Sequence, residues 1–166
     1  MYQLFYYPNN ASLAPHFVLE EIGVEFELKL VDRKSDAQKS AEYLKLNPAG
    51  RIPTLVDDSF VMFESPAICL YLAEQNPNSS LVPVNDPQKR ALFFQWMMYL
   101  TNTLQAELMI YFYPDKHITV EGQGDKIIAA QQSILKDIFL LLDNELSNKD
   151  YFLGDDISIC DFFFLI

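Results

Sequence analysis

The sequence predicts an α/β domain followed by an all-helical domain. In the first half, short runs with strand periodicity surround one amphipathic helix and end in a hairpin. A turn-rich stretch, NPNSSLVPVND, follows, and beyond it the apolar residues recur only at helical spacings. We therefore expect an α/β domain over residues 1–76, a linker over 77–86 and a helical domain over 87–166.

The α/β domain begins with a strand, a helix and a second strand. Residues 2–7 (YQLFYY) favour a strand that the turn PNN ends. Ser12 is a natural N-cap for the helix that follows, and Gly23 is a natural stop. Residues 26–31 alternate and predict the second strand. Together these elements form a βαβ unit, which implies parallel strands with a right-handed crossover.

A hairpin follows, and a proline stands at its entrance. Residues 54–56 and 60–63 predict two paired strands around a tight turn. A proline at the start of a strand lacks an N–H, which is tolerated at a sheet edge. We therefore predict a cis Ile52–Pro53 bond beside an exposed edge with which an extended ligand could pair.

The helix after the hairpin should present its N-terminus to that edge. Ser65 fits the N-cap position and Pro66 the first helical position. A helix start binds carboxylates, and Glu64 could accept an ammonium group. These residues predict a site for an amino acid or a short peptide.

The helical domain is predicted to contain two long helices and a capped final one. Residues 87–113 have no internal proline or glycine, and Asp86 caps the helix that they form. A second helix covers residues 126–146. Ser158 and Asp161 have the spacing of a capping box ahead of a last helix.

The chain stops a few residues into that last helix. Its final residues, FFFLI, are apolar and provide no cap. We expect the natural polypeptide to continue beyond Ile166 with further helices.

Composition argues against several kinds of partner. The chain of 166 residues is 50% hydrophobic, but no apolar run approaches the roughly 18 residues of a membrane span. A net charge of −11 argues against nucleic acid. Cys69 and Cys160 lie in apolar helical sequence, which fits a cytoplasmic protein without disulfides. His16 and His117 have no neighbours that suggest a metal site.

Half of the basic residues lie in one segment. Residues 29–51 contain six basic and three acidic side chains, which gives this segment a net charge of +3. Most of these side chains should form a solvated face. Lys34 and Lys39 are the candidates for binding the far carboxylate of an anionic ligand.

The segment NPAGRIPTLVDDSFVMFESPAI, residues 47–68, resembles the glutathione transferases. The NPxGxxP turn, the strand pair and the Glu-Ser step before a helix occur in the order and spacing of that family. The capping box of the last helix is a second match. The resemblance implies a thioredoxin-like N-terminal domain, a helical C-terminal domain and glutathione as co-substrate.

The resemblance also assigns roles to residues of the hairpin region. The backbone of Ile52, before Pro53, would bind the cysteinyl part of glutathione. Glu64 and Ser65 would hold its γ-glutamyl end. The family forms two-fold homodimers through the first long helix. The apolar residues that would supply this face are Phe93, Phe94, Trp96 and Met97.

Catalysis is expected in the loop after the first strand, where the family places its catalytic residue. The closest likeness is to the bacterial beta class, in which a cysteine occupies the position of Ala11 and a histidine that of Gln105. Ser12 is the best remaining hydroxyl for stabilising the glutathione thiolate, although it could serve only as a cap. Asn10, Asn9 and Tyr6 are the other candidate donors.

We therefore expect a cytoplasmic glutathione transferase that promotes thiolate attack on a small hydrophobic electrophile, a detoxification reaction. Residues 109 and 111–113, at the end of the first long helix, could form the electrophile pocket or pack in the core. Two alternatives stay open. One is a non-catalytic binding or interaction module, and the other is a glutathione-dependent disulfide reductase or isomerase.

Overall fold

The structure, a computed structural model, describes residues 1–119 and 122–165. The first half of the chain holds all four strands, and the second half is helical. In chain order the elements are β1 (Tyr2–Tyr6), α1 (Leu13–Ile22), β2 (Phe26–Leu30), α2 (Tyr43–Leu46), β3 (Thr54–Asp57), β4 (Phe60–Phe63), α3 (Ser65–Gln75), α4 (Pro87–Tyr99), α5 (Gln105–Phe112), α6 (Gly124–Leu146) and α7 (Ile159–Phe164). This is the predicted fold class, an α/β domain followed by helices.

The strands form one mixed sheet in the order β2-β1-β3-β4. β1 and β2 are parallel, as the βαβ prediction requires, and β3 is antiparallel to both of its neighbours. The Ile52–Pro53 bond is cis, as predicted. The expected edge position of β3 is wrong, because Thr54 is paired with Phe5 of β1 and with Phe63 of β4. Along β3 and the segment that precedes it, backbone groups are therefore available to a ligand only before Thr54.

This register brings four connections to the same end of the sheet. β1, β2 and β4 all finish at the end where β3 begins, since β3 runs against its two neighbours. The loop after β1, the segment after β2, the residues before β3 and the start of α3 are consequently neighbours in space.

The predicted first long helix is continuous but not uniform. Asp86 caps α4, as predicted, by accepting hydrogen bonds from the backbone N–H groups of Gln88 and Lys89 at 2.9 and 3.0 Å. A π-helical segment, Leu100–Leu104, then joins α4 to α5. Such segments are rare and lie frequently at functional sites.

The capping box ahead of α7 is confirmed. The Asp161 carboxylate accepts from the backbone N–H of Ser158 at 2.8 Å and from that of Phe152 at 2.9 Å. These bonds fix both the start of α7 and the loop that precedes it.

One hydrophobic core runs through both halves of the chain. It includes Leu19 of α1, Leu72 of α3, Trp96 of α4, Leu142 of α6 and Phe163 of α7. The boundaries at residues 76 and 87 stay a prediction. Among the described residues, no helix is both long and apolar enough to span a membrane.

The apolar residues expected to form a dimer face are mostly used inside the chain. Phe93, Trp96 and Met97 are at most 6% exposed, and the Trp96 ring lies 5.3 Å from that of Phe152. These three side chains therefore cannot form an exposed dimer face, and Phe152, from the segment before α7, packs on Trp96. The homodimer itself stays a prediction. Leu92 and Met98 of α4 are exposed, as are Phe60, Val61 and Phe63 of the edge strand β4.

Candidate functional site

The candidate site lies at the sheet end where the four connections meet. Its parts are the β1–α1 loop (residues 7–12), the loop before β3 (residues 47–53) and the N-terminus of α3. The Ser65 hydroxyl donates a 2.7 Å hydrogen bond to the carbonyl oxygen of Ala11, although 54 positions separate the two residues. The start of α3 and the β1–α1 loop are therefore in direct contact.

Two buried side chains support the loop before β3. Asn47 accepts from the N–H of Ala49 at 3.0 Å, and its amide donates to the carbonyl of Arg51 at 2.8 Å. The Tyr43 hydroxyl donates to the same carbonyl at 2.7 Å and lies 2.8 Å from the hydroxyl of Thr54. Burial raises the pKa of Tyr43, so this hydroxyl remains a donor at neutral pH.

Neither Asn47 nor Tyr43 was predicted to be a residue of the site. The NPAG sequence signals that Asn47 turns the chain. Nothing in the spacing of Tyr43 indicates that its hydroxyl reaches both sides of the Ile52–Pro53 bond.

The side chain of Ile52 is buried, so it is the backbone of this residue that can meet a ligand. Ile52 packs in a small cluster with Val31 and Tyr43. Pro53 is buried beside it. This agrees with a role for Ile52 that is limited to its main chain.

Lys39 lies against the same loop. A Cβ atom placed on Gly50, whose φ is +59°, would be 2.7 Å from the Lys39 Nζ atom and 3.1 Å from the carbonyl oxygen of Gln38. Lys34 is also exposed, and its backbone N–H donates to the Asp32 carboxylate at 2.9 Å. The guanidinium of Arg33 lies 5.8 Å from the centre of the Tyr7 ring.

The described part of the chain provides no salt-bridge partner for these cations. Among the described residues, neither Lys34, Lys39, Arg33 nor Arg51 forms a salt bridge. Positively charged side chains thus border the end of the sheet that holds the candidate site, although the net charge of the chain is −11.

The start of α3 differs from the prediction in one detail. Glu64, not Ser65, is the N-cap residue, and its backbone has a left-handed φ of +75°. Ser65 is the first helical residue and is 5% exposed. The prediction of a Ser65 cap is wrong because its hydroxyl is bonded to Ala11 instead of to its own helix. The Glu64 side chain is exposed.

Ser12 precedes α1 but does not cap it through its side chain. Its hydroxyl donates to the carbonyl of Tyr7 at 3.1 Å and accepts from the Tyr7 N–H at 3.3 Å. Ser12 is 1% exposed, and its backbone is already helical. Ser12 thus occupies the predicted N-cap position, but its hydroxyl closes the β1–α1 loop instead of bonding the helix.

Two of the other candidate donors lie beside Ser12. The side-chain oxygen of Asn10 is buried and accepts no hydrogen bond from the described residues. Tyr6 ends β1 and is half-buried against the core. Asn10 thus belongs to the loop, whereas Tyr6 belongs mainly to the packing beneath it.

Neither cysteine presents an accessible thiol at this site. Both are free and buried. Burial raises the pKa of Cys69, and it raises that of Cys160 to about 12. Neither thiol is therefore ionised at neutral pH. Within the described ranges, no cluster of side chains has the composition of a metal site.

The proposed electrophile wall lies at the end of α5. Met109, Phe112 and Tyr113 are exposed, and Tyr111 packs partly on the core. Two open grooves of about 460 Å³ each lie along α6 and include no residue of the candidate site.

Comparison with known proteins gives one consistent result. The family model "Glutathione S-transferase, N-terminal domain" matches residues 1–74. Glutathione S-transferase D7 of Drosophila melanogaster is 34% identical over 153 residues, which is 91% of this chain and 66% of that protein. The chain thus spans slightly less than two thirds of that relative.

Solved structures agree over almost the whole chain. BphK, a bacterial glutathione transferase solved as a ternary complex, is 33% identical with a TM-score of 0.82, and 97% of this chain covers 78% of it. A glutathione transferase homologue from Sulfitobacter, solved with bound glutathione, is 25% identical with a TM-score of 0.88, over 98% of this chain and 78% of that one.

Proposed function

The chain belongs to the glutathione S-transferase family, and on that premise we propose that it binds glutathione and promotes attack of its thiolate on a small hydrophobic electrophile. The observation that carries this proposal is the meeting of three features at one sheet end. These are the backbone before β3, the Glu64–Ser65 start of α3 and the β1–α1 loop.

Each part of the ligand has a matching group. The backbone of Ile52 pairs with the cysteinyl residue, next to Pro53. Ser65 and the start of α3 bind the α-carboxylate of the γ-glutamyl end, and the exposed Glu64 carboxylate accepts from its ammonium group. Lys39, with Lys34, binds the carboxylate at the other end.

The chemistry requires the thiolate. A free thiol has a pKa near 8.5, and lowering it by about two units takes about 2.7 kcal/mol of differential stabilisation. One hydrogen bond to the charged sulfur contributes roughly 1.5–3 kcal/mol, so a single donor from the β1–α1 loop is enough. Ser12 is our first candidate, with Asn10 second and Tyr6 third.

A second candidate function is a non-catalytic module that keeps the fold and the ligand. The loop resembles that of the bacterial beta class but has Ala11 at the cysteine position, and the Ser12 hydroxyl is bonded to Tyr7. Disulfide reduction or isomerisation by a protein thiol is disfavoured, because burial raises the pKa of both cysteines.

We further infer a cytoplasmic homodimer with a role in detoxification. Two buried, unpaired cysteines are typical of a reducing compartment. Exposed apolar side chains on the edge strand β4 support self-association.

Calorimetry on a serine variant tests the ligand assignment. Ser65→Ala should weaken glutathione binding by one to a few kcal/mol, because it removes a hydroxyl that bonds a charged carboxylate. Ser59→Ala, in the exposed β3–β4 turn, is the matched control and should bind normally. Unchanged affinity in a folded Ser65→Ala variant would refute the assignment. A second assay measures conjugation of glutathione to a generic aryl halide. A transferase should catalyse this reaction, and a non-catalytic binding module should not.

A further inference from the structure

The hydroxyl of Tyr43 is the middle member of a directed chain of hydrogen bonds at the entrance of β3. It lies 2.7 Å from the carbonyl oxygen of Arg51 and 2.8 Å from the hydroxyl of Thr54. A carbonyl only accepts, and a tyrosine hydroxyl has one proton, so that proton goes to Arg51. Thr54 is therefore the donor in the second bond, and the chain runs from Thr54 through Tyr43 to Arg51.

Two donors hold the Arg51 carbonyl. The side-chain amide of Asn47 donates to the same oxygen at 2.8 Å. Together with the Tyr43 hydroxyl it occupies both lone pairs of this oxygen. Tyr43, Asn47 and Thr54 are all at most 5% exposed, so these bonds form away from bulk water.

The ring of Tyr43 is fixed by packing against the sheet. It meets the ring of Phe5, in β1, edge to face, with the ring centres 5.9 Å apart. It also packs with Val31 and Ile52 in one buried cluster. The Tyr43 hydroxyl is consequently a fixed point, and it ties the Arg51 carbonyl to the sheet.

A carbonyl held in this way sets the direction of the next N–H. The Arg51–Ile52 peptide is trans, and in a planar trans peptide the C=O and the N–H point in opposite directions. The Ile52 N–H is therefore directed away from Tyr43 and Asn47. Within the described ranges, no backbone carbonyl accepts from it. Pro53 has no N–H, so that of Ile52 is the last backbone donor before β3.

We propose that Tyr43 is a positioning residue that directs the Ile52 N–H towards the cysteinyl carbonyl of bound glutathione. This inference rests on the proposed function, in which the backbone of Ile52 pairs with the cysteinyl residue. The chain that begins at Thr54 holds the carbonyl side of the Arg51–Ile52 peptide, and the N–H side is presented to the ligand. The buried Tyr43 acts through this peptide without touching the ligand.

The test compares the binding of two ligands by NMR titration, which also measures weak affinities. S-methylglutathione has the cysteinyl carbonyl and a blocked thiol, so ionisation of the thiol does not contribute. The S-methyl ether of γ-glutamyl-cysteamine keeps the γ-glutamyl amide but lacks this carbonyl and the glycine.

Tyr43→Phe removes the hydroxyl and keeps the ring that packs on Phe5. Tyr71→Phe is the matched control, because it removes a hydroxyl that bonds Asp57 at the other end of β3. We expect Tyr43→Phe to weaken binding of S-methylglutathione about fivefold, the effect of one net hydrogen bond. Binding of the cysteamine compound should be unchanged, since it has no carbonyl for the Ile52 N–H. Tyr71→Phe should bind both ligands as wild type does.

Thr54→Val gives a second measurement that leaves Tyr43 in place. It removes the donor behind Tyr43 and should weaken binding of S-methylglutathione about twofold. Combined with Tyr43→Phe it should cause no further loss, because the two residues act through one chain. Thr54→Ser keeps the hydroxyl and should bind as wild type does.

Two results would overturn the positioning role alone. One is an unchanged affinity for S-methylglutathione in folded Tyr43→Phe protein or, if that variant does not fold, in Thr54→Val. The other is an equal loss for both ligands in Tyr43→Phe, which a merely structural role would produce. If wild-type protein binds neither ligand, the proposed function fails, and the positioning role fails with it.

Discussion

The hydroxyl of Ser12 bonds a residue outside the helix that it precedes. As a helix cap it would bond its own first turn, but in the structure it bonds both backbone groups of Tyr7. Ser65 likewise bonds Ala11 instead of its own helix. Both hydroxyls therefore hold the β1–α1 loop.

Replacement of Ser12 should affect stability and chemistry together. Ser12→Ala should lower the free energy of unfolding by about 1–2 kcal/mol, because two buried hydrogen bonds are lost. If Ser12 also donates to the thiolate, the pKa of bound glutathione should rise by roughly one to two units. Urea unfolding and ultraviolet titration measure the two effects. Asn10→Ala is the comparison, and a pKa increase in that variant alone would assign the donor to Asn10.

At the scale of the elements, the loop before β3 depends on close packing at one glycine. Gly50 has a left-handed backbone, and a Cβ there would contact Lys39 and the Gln38 carbonyl. Gly23, which ends α1, has a similar φ of +73° but no atom within 4 Å of the same position. A comparison of the two glycines therefore separates the effect of backbone strain from the effect of contact with neighbouring atoms.

Gly50→Ala should therefore affect ligand binding, and Gly23→Ala should not. Both variants should lose roughly 1–2 kcal/mol of stability from the left-handed conformation. Only Gly50→Ala displaces Lys39 and the loop that carries Ile52, so it alone should weaken glutathione binding. Calorimetry gives the affinities, and equal affinities in the two variants would contradict this placement of the ligand.

A second contact between elements depends on pH. Tyr71 of α3 donates to the Asp57 carboxylate of β3 at 2.8 Å. That hydrogen bond, with burial and the nearby negative charges, raises the pKa of Tyr71 to about 12. An unfolded tyrosine has a pKa of about 10. The stabilisation is therefore complete below pH 10 and is lost as the pH rises towards 12.

The Tyr71→Phe variant should show this dependence. The difference in unfolding midpoint between wild type and Tyr71→Phe should be constant at neutral pH and should shrink above pH 10. Denaturant titrations between pH 7 and 11.5 measure it. A difference that stays constant up to pH 11.5 would show that this hydrogen bond does not cause the pKa shift.

Much of this level of structure could be predicted from local sequence. Gly23, Asp86 and the Ser158–Asp161 pair act within a few residues of themselves, and the structure confirms them. The acceptor of Ser65 is 54 residues away, so no local pattern contains it. The hydroxyl contacts of Tyr43 also depend on how loops meet. The sequence thus predicted which segments form the candidate site, but it did not indicate the acceptor to which each hydroxyl donates.

At the scale of the whole molecule, burial of the expected dimer face directs attention to another exposed apolar surface. Phe93 and Met97 are enclosed by the chain itself, whereas β4 exposes a row of apolar side chains at a sheet edge. Periodicity along α4 could not show this, since the covering segment comes more than 50 residues later.

We expect a two-fold homodimer that uses the β4 surface. Phe60→Ser should shift the mass towards the monomer, because it removes exposed apolar area that association would bury. Leu30→Ser, on the opposite edge strand and similarly exposed, is the control and should leave the mass unchanged. Light scattering after size exclusion measures both. A wild-type monomer at tens of micromolar protein would contradict the dimer.

The core that the two halves share determines how the molecule loses its structure. α7 contributes Ile159 and Phe163 to the same cluster as Leu19 of α1 and Leu72 of α3. Separation of the halves would expose the inner faces of both helices to water. Heat should therefore melt the whole chain in one transition, with equal calorimetric and van't Hoff enthalpies. Proteolytic cleavage in the linker should yield two fragments that remain associated until they unfold together.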